Sequence, residues 1–452
     1  MTISPRFVRS ALCAGLLGLV AGLALAAGGG VNAGGGSTAP TTASSTSGSP
    51  TVAGEILVKL RSTNALQPLL AKYPLSLVSR FGARPIYRLK VVGTVRPKDI
   101  LPSLSLETDV LIAEENASNS TPESKRQNVP WAIGTASAYA TQWGPQRMRV
   151  PEAQALALGQ GVRVAVLDTG IDATHPALAG RLLPGRDFVD DDLDPSEVGG
   201  PGYPSWGHGT HVAGLIAMVA PGARIMPVRV LDANGAGNAW VLAEAILWAL
   251  DPDGNPDTDD GAHVINLSLG SFTRTRILDT IAQIATCAPA VPDDPIGDRS
   301  DPGYADDTRR CSSSNGAVVI AAAGNDASGS LKEYPAAEGA YGLFSVAASN
   351  GLNQQANFTN YGTWIDLAAP GEGLTSTVPG GGYGTWSGTS MASPLVAGTA
   401  ALVRSVAPSL APKDVLQRLK RATTQLCGSH LFQLDAYSAV RDDRRPKPLS
   451  CK

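Results

Sequence analysis

Three short runs carry residues that together could perform acyl transfer: VAVLDTGID at residues 164–172, GHGTHVAG at 207–214 and GTSMASPLVAG at 388–398. Ser390 stands among small residues where a loop would turn into a helix, His208 lies between Gly207 and Gly209, and Asp168 closes an apolar run. A serine hydroxyl is a weak nucleophile at its free pKa and needs a base; histidine is the side chain whose pKa lies nearest neutrality. The imidazole must itself be held in one orientation, a task for a carboxylate. In this reading Ser390 attacks, His208 moves the proton and Asp168 orients the ring.

The elements around these residues suit the task. Residues 162–167 read as a buried strand, which puts Asp168 at a strand's carboxyl end, where sites of α/β folds form. Thr169 and Gly170 permit a sharp turn there, and the glycines beside His208 let backbone approach a substrate. Ala392, Val396, Ala397 and Ala400 fit a tightly packed helix whose positive N-terminal end would face the nucleophile. A further apolar strand, AVVIAAAGN at 317–325, ends in Gly324 and Asn325. The Asn325 amide and the backbone N–H of Ser390 would together form an oxyanion hole.

The order Asp168, His208, Asn325, Ser390, with the wording DTG, HGTH, AAGN and GTSMA around them, resembles the subtilisin-like serine proteases. The resemblance implies the same four roles for these residues. It extends to Ser268, Leu269 and Gly270 in VINLSLG, the segment that in the family pairs with the substrate backbone as an added strand. It also implies that Gly324 borders the substrate, and that KEYPA brings Glu333 near the floor of the S1 pocket, where a carboxylate would favour Lys or Arg at P1. A surface position for Glu333 is the alternative. The motifs span residues 142–421, and four of them in the right order are far more specific than any one alone.

Taken singly, each residue has a blander explanation. Asp168 could cap a helix and Asn325 could merely end a strand. His211 lies one helical turn from His208, as in a zinc pair, but HExxH is absent and no cysteine pair is near. His175, next to Pro176, reads as structural. The absence of GxSxG argues against a lipase-type esterase. Leu395 replaces a histidine common in the family and is a packing position. Between His208 and Val230 the chain runs straight from helix to strand, without the calcium-binding loop usual in secreted subtilisins. The chemistry needs no cofactor, so metal is assigned to no residue. A structural calcium is allowed but not placed, with Asp-rich stretches at 187–194 and 251–260 as the oxygen-rich alternatives to plain solvated turns.

The N-terminus sets the expected compartment. Arg6 and Arg9, an apolar run and an Ala24-Leu25-Ala26 site read as a signal peptide over residues 1–27, with an uncleaved anchor as the alternative. Residues 28–51 are a Gly/Ser/Thr tether. Residues 52–116 resume order, with strand-like EILVKL, PIYRLKV and VLIAEEN and a short helix at 65–72. This small α+β unit resembles the family's pro-domain, an intramolecular inhibitor; a separate binding domain is the alternative. Residues 117–140 form a polar linker in which maturation cleavage would fall, and residues 141–452 form the protease domain. Removing Cys13 with the signal leaves Cys287, Cys311, Cys427 and Cys451, with three connectivities open and nearest-neighbour pairing chosen.

A formal net charge of −3 gives no strong field, so nucleic acid is not an expected partner. Strands at 163–167, 225–230, 264–268 and 318–322 alternate with helices at 208–219, 238–250 and 275–286. That alternation implies an α/β fold with a mainly parallel sheet covered by helices on both faces. The expectation is a secreted, extracellular or periplasmic, monomeric serine endopeptidase acting on protein or peptide substrates and made as a self-processing precursor. A catalytically silent surface or binding protein of the same fold, and an esterase, are the competing classes.

Overall fold

The computed structural model describes residues 50–124, 132–288, 303–339, 342–443 and 446–451; the expected signal peptide and nearly all of the tether lie outside them. A nine-stranded sheet runs from edge to edge as Thr423–Gln425, Phe432–Leu434, Leu367–Pro370, Leu343–Ser349, Val318–Ala322, Val264–Leu267, Arg163–Asp168, Arg224–Arg229 and Arg186–Asp187. Its pairs are parallel except the hairpin formed by the first two strands. The interior strands are continuous apolar runs because helices cover both faces.

Alternate residues sort to the two sides. Val164 and Val166 pack with Val212, Leu215, Ile216, Leu395 and Val396 of the helices His208–Val219 and Thr389–Val406. Ala165 and Leu167 pack with Trp240, Ile246, Ile277 and Ile281 of the helices Ala239–Leu250 and Arg276–Ala285. The helix His208–Val219 is buried nearly all round, with His208, Thr210 and His211 in its first turn and an apolar run from Val212 to Val219 after it. It crosses Thr389–Val406 closely: a Cβ on Gly398 would lie 2.6 Å from Val219 Cβ.

The chain leaves Arg163–Asp168 for the two strands on one side of it, Arg186–Asp187 at the edge and then Arg224–Arg229, and later returns to Val264–Leu267 on the other. Strand order reverses there, so a crevice opens at the carboxyl ends of these two neighbours. Asp168 ends one strand and Ser268 follows the other. This topology positions the site.

Residues 51–120 form an antiparallel sheet of Leu75–Arg80, Ile86–Val91, Thr51–Leu60 and Val110–Ser120, with helices Leu66–Lys72 and Pro97–Leu104. This unit has its own core of Ile56, Val58, Leu69, Leu89, Ile100 and Leu104. Its last strand runs to Ser120 and joins the protease unit, pairing Ser118, Asn119 and Ser120 with Asn238, Gly237 and Ala236. Two polar contacts seat it on helix N-termini, where unpaired N–H groups favour anions and acceptors. The Glu114 carboxylate accepts from the N–H groups of Arg276 and Ile277, at 2.9 and 3.0 Å, and Asn116 Oδ1 accepts from Trp240 N–H at 3.2 Å. Phe81 packs on Trp240 with centroids 4.1 Å apart and the rings tilted by 31°.

Cys287 bonds Cys311 and Cys427 bonds Cys451. The insertion spanned by the first bridge contains the start of a helix, Tyr304–Ser314, anchored by buried Arg310 through Asp307 and the Ile284 carbonyl. No helix among the described residues is long and apolar enough to cross a membrane.

Candidate active site

Asp168, His208, Asn325 and Ser390 come together in one buried cluster. Asp168 Oδ1 accepts from the N–H of Thr169 and from His208 Nδ1–H, both at 2.7 Å, which fixes the ring. His208 is the first residue of its helix, and Gly207 before it sits at φ +86°, a left-handed conformation that favours glycine. Gly209 is needed for space, since a Cβ there would lie 2.1 Å from the Gly170 carbonyl oxygen. Asn325 turns its Oδ1 toward Thr389, accepting from the backbone N–H at 2.9 Å and the hydroxyl at 3.0 Å, so its Nδ2 faces the crevice. Ser390, second in its helix, is tied back through Ser268 Oγ, which donates to the Ser390 carbonyl at 3.0 Å.

What these groups face is Glu123, which the sequence reading passed over as linker. Its Oε2 accepts from Ser390 Oγ at 2.7 Å and His208 Nε2 at 3.2 Å, and its Oε1 accepts from Asn325 Nδ2 at 2.8 Å. Burial opposes charge on this carboxyl, but His208, Ser390 and Asn325 outweigh it and hold the pKa below the ordinary value. Burial likewise opposes protonation of His208, yet Asp168 and Glu123 on either side push its pKa up to about 10. The ring is therefore imidazolium at neutral pH while Glu123 is present.

Glu197 is a second residue missed from the sequence. Its carboxylate accepts from the N–H groups of Gly207 and Thr210, at 3.1 and 3.0 Å, and from the hydroxyls of Thr210 and Thr169. It thereby clasps the start of the histidine helix to the turn after Asp168. Burial, with Asp168 as a like-charged neighbour, raises its pKa to about 7 against the hydrogen bonds that favour its ionised form. It lies in a Gly- and Asp-rich loop without an apolar pattern, so no sequence signal marked it.

The Ser268–Gly270 segment, Gly324 and Glu333 also converge. Gly270 exchanges both backbone hydrogen bonds with Ser120, at 2.9 Å each, so the end of the N-terminal unit's last strand meets the Ser268–Gly270 segment at that one residue. Glu333 is fully buried, and its side chain lies against two bare glycines: a Cβ on Gly270 would be 2.3 Å from Glu333 Oε2, and one on Gly324 2.8 Å from Glu333 Cδ.

The remaining histidines of the motifs are packing groups. His211 stacks on Trp386 at 5.1 Å, donates to the Gly384 carbonyl at 3.1 Å, and is driven down to about 3 by burial. His175 accepts from Ala177 N–H and donates to the Gly382 carbonyl. Of the two acidic stretches, Asp187 and Asp190 are engaged by Arg229, and Asp191 by Arg186 at 2.8 Å. Asp251, Asp253 and Asp260 instead bring carboxylate oxygens within 4.8 Å of one another. Asp253 and Asp260 also cap their own turn, accepting from the N–H groups of Asn255 and Asp253 respectively.

A family model described as the Subtilase family matches residues 159–437, most of the chain. The chain belongs to the subtilase family. This subtilase is 34% identical over 328 residues to "Thermophilic serine proteinase" of Bacillus sp. (strain AK1), a match covering 69% of this chain and 70% of that protein. It is 37% identical over 309 residues to "Subtilisin Savinase" of Lederbergia lenta, covering 65% of this chain and 96% of that one. Among solved structures it is similar to fervidolysin from Fervidobacterium pennivorans, with a TM-score of 0.63 at 22% identity, over 86% of this chain and 61% of that one. That last likeness concerns the fold: a mainly parallel sheet with helices. The protein is a subtilisin-type serine endopeptidase, and its family needs no cofactor for the chemistry.

Proposed function

We propose that the chain is the secreted, self-processing precursor of an endopeptidase in which Ser390, His208, Asp168 and Asn325 carry the reaction. The observation that carries this is the single oxygen, Glu123 Oε2, within hydrogen-bond reach of both Ser390 Oγ and His208 Nε2, while Asn325 Nδ2 holds the other oxygen of the same carboxylate. A group of that size and polarity, gripped from those three sides, stands where a peptide carbonyl would lie. With a peptide there, Ser390 Oγ attacks the carbonyl carbon and its proton passes to His208 Nε2, with Asp168 holding Nδ1–H. The oxyanion is met by Asn325 Nδ2 and the N–H of Ser390. His208 then protonates the leaving amine, and water, activated by the same ring, releases the acyl group from Ser390.

Substrate binds as an added strand along Ser268, Leu269 and Gly270, in the way Ser120 pairs with Gly270 here, with Gly324 and Glu333 bordering the P1 side chain. The carboxylate of Glu333, close to two glycines that leave room, favours Lys or Arg there. Residues 52–116 act as the intramolecular inhibitor, supported by the docking of Glu114 and Asn116 on two helix N-termini. Residues 1–27 direct export, and the mature enzyme is a monomer.

The test compares wild type with Ser390→Ala, following intact mass and casein digestion. Wild type should shed its N-terminal unit and digest casein while the variant stays full length and inert. If both stay intact and inert, the proposal fails.

A further inference from the structure

We propose that Glu123 is a latch that silences the active site while the chain is still uncut, by putting a side-chain carboxylate where the carbonyl of a scissile bond must sit. The inference rests on the assignment of Ser390 as nucleophile and goes beyond inhibition by a docked unit.

Register explains why a side chain and not the backbone fills the site. Ser120 pairs with Gly270 in an antiparallel bridge, a register that, if continued two residues, would put Pro122 opposite Ser268, whose carbonyl lies 3.4 Å from Ser390 Oγ. Proline has no N–H to donate, and the ladder stops. The chain folds back instead: Ser124 N–H donates to the Thr121 carbonyl at 3.1 Å, Ser124 Oγ donates to the same oxygen at 2.7 Å, and Thr121 Oγ1 is 2.9 Å from Ser205 Oγ. A turn over Thr121–Ser124 thus aims the Glu123 side chain inward.

The site is shaped around that carboxylate. Gly388, two residues before Ser390, has extended backbone at φ 170° that any residue could adopt, yet a Cβ there would lie 1.8 Å from Glu123 Oε1. Asn325 Nδ2, Ser390 Oγ and His208 Nε2 supply three donors, so both oxygens are met.

The chemistry is inhibitory on two counts. A carboxylate resists attack by a serine hydroxyl, and its charge and hydrogen bond add to those of Asp168 in favouring protonated His208, the form that cannot act as a base. A cleaved pro-segment would inhibit through a new main-chain carboxylate; here the carboxylate belongs to an internal residue, so silencing precedes any cut, and self-processing requires Glu123 to leave the site first.

The experiment uses the full precursor as wild type, Glu123→Ala and Glu123→Gln, each treated with a fluorophosphonate. Intact mass separates labelled uncut chain from labelled mature enzyme. Removing a charged acceptor from Ser390 and Asn325 should speed labelling of the uncut Glu123→Ala chain about ten- to a hundredfold. Glu123→Gln, which keeps the shape without the charge, should fall between, and it carries the test if the alanine variant does not fold. Equal rates for uncut wild type and variants overturn the latch alone. Absence of labelling in every form, mature enzyme included, overturns the nucleophile assignment and the latch with it.

Discussion

Replacing Glu197 with Gln should change how stability depends on pH. The Glu197 carboxyl titrates at about 7 instead of its ordinary 4.5, because burial and the Asp168 charge outweigh its hydrogen bonds. A folded-state pKa above the unfolded value gives a contribution fully present below pH 4.5 and lost as pH rises through 7. Over that window the folded chain holds a proton that the unfolded chain has released, and stability falls by about 1.4 kcal/mol per pH unit, or about 3 kcal/mol in all. Glu197→Gln deletes this loss, since the amide does not titrate. Both chains should carry Ser390→Ala to prevent self-digestion, and unfolding in urea should be followed at pH 5, 6, 7 and 8. The amide also turns one acceptor into a donor facing N–H groups, a fixed penalty that moves the whole curve without tilting it. Glu244 and Glu338, both raised to about 7 by burial, tilt both curves equally and cancel in the difference. The stability difference between the two chains should therefore swing by about 2–3 kcal/mol in the variant's favour from pH 5 to pH 8. Parallel curves would refute the reasoning.

Three other outcomes follow from the site. Asn325→Ala should lower kcat of the mature enzyme by about 10²–10³ with little change in KM, a magnitude measured for an oxyanion-hole asparagine in a subtilisin; an unchanged kcat removes Asn325 from the reaction. The mature enzyme should prefer Arg over Phe at P1, and Glu333→Gln should cut the ratio of their kcat/KM values by about tenfold or more; no preference for Arg refutes a role for that carboxylate. Gly209→Ala would normally favour a helix, but its Cβ would press on the Gly170 carbonyl oxygen at 2.1 Å and on Asp168 Cβ at 3.1 Å. It should cost about 1–3 kcal/mol of stability in urea unfolding and lower kcat by separating His208 from Asp168.

The central strands and helices were legible in the sequence because local pattern and burial agree in them. The four residues ahead of Asp168, Val164 to Leu167, are all apolar, and the predicted strands and helices match the observed ones to within a residue or so at each end. Gly207, Gly209, Gly270, Gly324 and Gly388 stand where a Cβ would strike a neighbour, which is why short glycine-framed motifs survive as signals. Glu123 and Glu197 were not legible. Both sit in polar, turn-forming stretches, and each acquires its partners from segments far away in sequence, Glu123 only because Ser120 docks on Gly270. The helix Tyr304–Ser314 was hidden for a related reason: its only buried residue is an arginine, so it has no apolar stripe to read. The short strands Thr423–Gln425 and Phe432–Leu434 at one end of the sheet are too brief to show a period.

The most direct test of the central claim is to trap the acyl-enzyme. Mature enzyme mixed with a peptide ester and quenched in acid should gain one acyl mass, and proteolytic mapping should place it on the peptide containing Ser390, with no such adduct in His208→Ala. Turnover of the ester with the adduct on another residue, or with none on Ser390 while His208→Ala remains fully active, would contradict the account.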